Sequence, residues 1–195
     1  MSYEGKNYDH LKGGAVKGLS DSQLDQHFTL YKGYIAKLNE IEQKLAVADN
    51  TKPNYSFSDY SELKRREAVA FNGSFLHELY FENLGADDAV SPALQQALDA
   101  QGGKDKVVAD LKAAALCGPG WAVLTRNRRD GKLHTYFFGE HHLGLPIEQD
   151  LLVVLDSWEH AFMVDYGIAR AKYADMFAEN IKWSEVSKRF AAATK

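Results

Sequence analysis

Residues 151–167, LLVVLDSWEHAFMVDYG, decide the fold and the chemistry together. The run begins as a short apolar, β-branched stretch with the length and texture of a buried strand. It ends on Asp156, and four residues later comes His160, with Glu159 between them. A carboxylate and an imidazole at i and i+4 share one face of a helix, or converge where a strand turns into a helix. Either geometry makes a pair of metal ligands.

Working outward, residues 171–181 (AKYADMFAENI) and 183–193 (WSEVSKRFAAA) read as closing helices. On the other side, WAVLTRN (121–127) and KLHTYFF (132–138) flank Arg128, Arg129, Asp130 and Gly131, the signature of a β-hairpin. With 151–156 they supply three strands. Pro92 at a helix start, Gly102 and Gly103 at its end, and a second helical run over 104–117 precede the break at Gly118-Pro119-Gly120.

The first ninety residues have a different texture. Ser20 and Gln23 have capping-box spacing, and Leu24, His27, Tyr31, Ile35, Leu38, Ile41 and Leu45 follow at steps of three and four. A second such pattern runs from Asp59 and Glu62 to the stop signal Gly85, with His77 among Phe75, Leu76, Leu79, Tyr80 and Phe81. Two long helices joined by a short link predict an antiparallel hairpin. The expectation is an α+β protein: an N-terminal helical hairpin domain over 1–90, packed on a C-terminal α/β domain over 91–195 with a three-stranded antiparallel sheet.

At 195 residues with 45% hydrophobic content, the chain can bury a sizeable core. A formal net charge of -4 argues against nucleic-acid or membrane-surface binding, which needs a clustered basic face. Cys117 is the only cysteine, so an internal disulfide and a cysteine-rich metal site are excluded. With no apolar leader or membrane-length run, the cytoplasm is the expected location.

Three histidines and an aspartate thus lie in the most apolar parts of separate elements: His27, His77, Asp156 and His160. Each needs a partner if buried, and one cation serves all four. Imidazole and carboxylate without thiolate suit Fe, Mn or Zn. Four protein ligands satisfy zinc, whereas Fe or Mn adds a solvent molecule and is redox-active, which favours one-electron chemistry over hydrolysis. A zinc hydrolase would require full activity with zinc and none with redox metals.

The residues also carry a family resemblance. DSWEHAFMVDY (156–166) resembles the signature of the iron/manganese superoxide dismutases, departing from its double aromatic at Met163. LSDSQLDQH (19–27) and LHELYFENL (76–84) resemble the segments holding the family's first two ligand histidines, and GPGWAVL with DGKL resembles its glycine-tryptophan turn and hairpin. The likeness runs in order from about residue 15 to the end. It implies dismutation of superoxide to dioxygen and hydrogen peroxide by one Fe or Mn per chain. The implied ligands are His27, His77, Asp156 and His160. Trp121 would line the pocket, Trp158 would stand beside the ligands, and Glu159 would reach across a homodimer to the partner's ligand histidine.

The resemblance also calls for a group that hydrogen-bonds the metal-bound solvent. Gly73, four residues before His77, cannot serve; the loop position falls on His141, with His142 its neighbour. The gate departs from the family. A histidine four residues and a tyrosine eight residues beyond the first ligand are expected, where this chain has Tyr31 and Ile35. If one residue is missing through loss of a π-bulge, Tyr34 takes the tyrosine's place, and Tyr31 and Tyr34 at i+4 and i+7 both face the metal. Lys32 and Arg170 are candidates for steering the anion. The altered gate motivates a second reading, a metal-binding protein of dismutase fold with little turnover.

Overall fold

Ser20 sits in extended backbone, and its side-chain oxygen accepts from the Gln23 amide at 3.1 Å, which starts the helix α1 (Asp21–Leu45). Ser58 caps α2 (Asp59–Glu82) in the same way through Ser61. In the computed structural model, which describes residues 2–194, these helices pack antiparallel: His27 meets His77, and Tyr34, further along α1, meets Gly73, earlier on α2. α1 is α-helical without a π-turn along its length. The amino-terminal segment straps across the pair. Tyr3 exchanges two main-chain hydrogen bonds with the Asn39 amide, and Lys6 reaches Glu78 and Glu82 on α2 at 2.7 and 2.8 Å.

The second half opens with α3 (Pro92–Asp99) and α4 (Lys104–Ala115), then the strands β1 (Trp121–Asn127), β2 (Leu133–Phe138) and β3 (Gln149–Asp156). The sheet order is β2-β1-β3, with both pairings antiparallel, as the hairpin signal and the apolar run predict. A 3-10 turn (Glu159–Ala161), the short α5 (Met163–Tyr166), α6 (Arg170–Glu179) and α7 (Trp183–Ala193) complete the chain. The fold is the expected α+β arrangement of a helical amino-terminal half and a carboxy-terminal half built on three antiparallel strands.

Two joints fasten these halves together, and the sheet completes the site. Asn83, just past α2, donates to the Leu152 carbonyl and accepts from the Val154 amide, so the end of α2 is fastened to β3. Arg189 of α7 donates to the carbonyls of Leu79 and Leu152 and pairs with Glu82 and Glu185, covering the same joint. The register of the sheet sets Trp121 opposite Asp156. Gly120 makes that approach possible. Its φ of +148° suits glycine, and a Cβ there would lie 2.3 Å from the Phe138 carbonyl oxygen.

Candidate metal centre

Asp156 closes β3 fully buried, and the chain then turns at once into the 3-10 turn that carries His160. The pair therefore converges across a strand-to-turn junction, the second of the two geometries the spacing allows. Tyr173 donates to the Asp156 carbonyl at 2.7 Å, and the Trp158 amide donates to its Oδ1 at 2.9 Å. This leaves Oδ2 to face the interior. There His27 Nε2 lies at 3.1 Å, His160 Nε2 at 3.0 Å and His77 Nε2 at 3.4 Å. The ligand atoms of these four residues all fall within 4.8 Å of one another.

The tautomer of His77 tests whether a cation fits. Its Nδ1 bonds the Gly73 carbonyl, which can only accept, so Nδ1 carries the hydrogen. Burial holds the His77 imidazole down to about 3, and burial likewise lowers His27, in both cases against the pull of Asp156. His77 is therefore neutral, and its Nε2 lone pair points at a carboxylate oxygen and at His160 Nε2, also 3.4 Å away. Lone pairs facing one another in a buried pocket are unfavourable unless a positive centre lies between them. Burial works to raise the Asp156 carboxyl, but His160 and His27 hold it below the usual carboxylate range, so it is an anion here. Burial works to lower His160 as well, but Asp156 outweighs it and raises that imidazole, so a divalent or trivalent first-row metal bound among the three nitrogens and the anionic carboxylate would displace its proton.

Around this quartet, Trp121 stands edge-on to His77 at 5.1 Å and Trp158 lies parallel to His160 at 6.4 Å. His141, from the loop after β2, is buried; its Nδ1 accepts from Trp121 Nε1 at 2.8 Å, and its Nε2 lies 2.7 Å from the Tyr34 hydroxyl. The indole can only donate, so a neutral His141 carries its hydrogen on Nε2 and donates it to Tyr34. Burial lowers His141 and raises Tyr34, which keeps the imidazole neutral and the phenol protonated. The Tyr34 O–H is then free to point elsewhere. Asn72 secures the loop by donating to the His141 carbonyl at 2.7 Å, whereas neighbouring His142 has its Nδ1 buried without a partner among the described residues.

Gly73 explains why Tyr34 can lie here. A Cβ at that position would sit 2.6 Å from Tyr34 Cδ1, inside the ring's own volume. With glycine, the ring stacks on His77 at 5.4 Å. Position 73 therefore contributes space and a carbonyl, and the side chain over the site comes from the loop.

Tyr31 departs from the expectation that both phenols face the site. Its hydroxyl donates to Glu78 at 2.7 Å and accepts from the Lys6 amide at 2.9 Å, on the side of the amino-terminal strap. Ile35 is core, Lys32 is exposed, and Arg170 pairs with Glu159 at 2.9 Å. Gln23, read from sequence as half of a capping box, does not return to Ser20: its side chain spans to His160 and Val164. Neither that contact nor those of Asn72 and Tyr173 leave a signal in local spacing, because each joins elements distant in sequence.

A family model described as "Iron/manganese superoxide dismutases, C-terminal domain" matches residues 90–189. Among curated relatives, a "Superoxide dismutase [Fe]" of Aquifex pyrophilus is 41% identical over 194 residues, covering 96% of this chain and 91% of the relative. One of the same name from Cupriavidus metallidurans is 35% identical, covering 92% of each chain. A "Superoxide dismutase [Mn]" of Mycolicibacterium smegmatis is 30% identical, covering 96% and 91%.

Proposed function

Since the chain belongs to the iron/manganese superoxide dismutase family, we propose that it converts superoxide to dioxygen and hydrogen peroxide with one Fe or Mn held by His27, His77, Asp156 and His160. The observation that carries this reading is the convergence of three imidazole nitrogens on one carboxylate oxygen in a buried pocket. When bound, the metal supplies a one-electron couple that can accept an electron from one superoxide and return it to another. The chain does the rest. Gly73 holds His77 in the tautomer that offers Nε2, and the Trp158 amide turns Asp156 so that Oδ2 is the inward donor. Forming hydrogen peroxide from two superoxides consumes two protons. Tyr34 Oη holds a transferable hydrogen, and His141 orients it by occupying the hydroxyl's acceptor side.

The working unit in this reading is a homodimer. The His160 side chain is 29% exposed in the single chain, and its Nδ1 has no hydrogen-bond partner among the described residues. Glu159 beside it is 46% exposed, and Met163 and Val164 present an apolar surface next to it. A second copy that places its Glu159 on this Nδ1 would cover the surface and fix the tautomer in one contact. The net acidic charge and the lone, exposed Cys117 accord with a cytoplasmic antioxidant role; among the described residues no helix is long and apolar enough to cross a membrane.

The test is to load metal-free protein separately with Fe, Mn and Zn and to follow superoxide decay. Turnover with Fe or Mn and none with Zn is expected. Stoichiometric loading with negligible turnover would support the low-turnover alternative and direct attention to Ile35 and Met163.

A further inference from the structure

Gln23 stands four residues before His27 on the same face of α1, and its buried side chain reaches the segment that carries His160. Both ends of its amide are used. Nε2 donates to the His160 carbonyl at 2.6 Å, and Oε1 accepts from the Val164 amide at 3.0 Å. The segment has few other supports. Phe162 precedes α5 and has no side-chain oxygen to cap it, so the Val164 N–H in that first turn lacks a local acceptor. The His160 carbonyl belongs to a single 3-10 turn. Flanking contacts keep the same two segments together: the Ser20 amide donates to Asp165 at 2.7 Å, and the Tyr166 hydroxyl donates to the Gly18 carbonyl at 2.8 Å.

We propose that Gln23 is a positioning residue of the metal centre, fixing the backbone beneath His160 so that α1 supplies one ligand through His27 and holds a second through Gln23. This rests on the reading of His160 as a ligand. His27 and His77 lie on helices of 25 and 24 residues and Asp156 ends a paired strand, so their backbones are set by regular structure. His160 has one short turn, and a ligand displaced by about 0.5 Å already degrades a metal site. Gln23 supplies the missing restraint, and it satisfies two main-chain groups that would otherwise be left unpaired.

The experiment compares Gln23→Met, which keeps length and packing but removes both side-chain hydrogen bonds, with Ser20→Ala, which removes the cap on the Gln23 main-chain amide and leaves both side-chain bonds in place. The readouts are the rate of Mn release into excess chelator and the melting temperatures of metal-free and Mn-loaded protein. Gln23→Met is expected to take up Mn but release it about tenfold faster or more, with a smaller gain in melting temperature on loading. Ser20→Ala is expected to lower both melting temperatures alike and leave release unchanged. Gln23→Glu keeps the acceptor for Val164 but turns an oxygen toward the His160 carbonyl, so it too should release faster while α5 stays capped. Wild-type release rates in Gln23→Met and Gln23→Glu would overturn the proposal. So would a melting-temperature loss of equal size in both metal states. His160→Ala separates the two claims: if it also releases Mn at the wild-type rate, the ligand reading fails and takes the proposal with it. If it releases rapidly while the Gln23 variants do not, only the proposal fails.

Discussion

Three of the four converging side chains and the fourth are held in different ways. His27, His77 and Asp156 are at most 1% exposed and sit on long helices or at the end of a paired strand. His160 is 29% exposed, on a 3-10 turn restrained by Gln23 from another element. The contrast teaches that a single chain can preassemble most of a metal site by core packing alone, while one wing depends on contacts made across it. The packed wing inherits its rigidity from hydrophobic burial and from the Asn83 and Arg189 joints. The turn has no such inheritance, so the proposed second copy would act on the site there.

The largest effect should come from the packed wing. His77→Ala removes a fully buried ligand, and elemental analysis is expected to find no bound Fe or Mn and an assay no turnover; retained stoichiometric metal would break the comparison. Glu159→Ala should act only on the open wing. It is expected to shift the proposed dimer toward single chains in sedimentation and to weaken metal retention roughly 10–100-fold. An unchanged dimer with unchanged retention would leave His160 without its assigned cover.

Gly73→Ala sharpens the contrast from within. Its Cβ would meet Tyr34 Cδ1 at 2.6 Å, so the ring must leave His77 and His141. We expect a cost of about 1–3 kcal/mol in unfolding measurements and a fall in turnover with metal and oligomer intact. Tyr31→Phe should have the smallest effect. It removes a hydrogen bond to Glu78 and orphans the Lys6 amide, which lowers stability by about 1 kcal/mol while turnover and metal content hold. Lost turnover there would mean that Tyr31 serves the site from a side the hydrogen bonds do not indicate.

The two tyrosines show where sequence stops being informative. The long periodic helices, the Ser20 cap, the hairpin around Asp130 and Gly131, and the apolar run into Asp156 were all legible, because each is encoded by neighbours in the chain. The gathering of His27, His77, Asp156 and His160 could be argued because all four lie in apolar surroundings that leave few alternatives for a buried polar group. Helical spacing put Tyr31 and Tyr34 on one face, yet at about 100° per residue they stand roughly 60° apart, enough to fall on opposite sides of the α2 ridge. Which side each takes is decided by Glu78 and Gly73 on another helix. Gln23 is the same lesson in reverse: its local spacing fits a capping box, and a tertiary contact redirects it.

That these four side chains hold the redox metal is open to direct test by diffraction from crystals of Mn-loaded protein at the Mn absorption edge. The expected result is a single anomalous peak per chain, enclosed by Nε2 of His27, His77 and His160 and Oδ2 of Asp156. A peak elsewhere, or none there in protein that turns over superoxide, would contradict it.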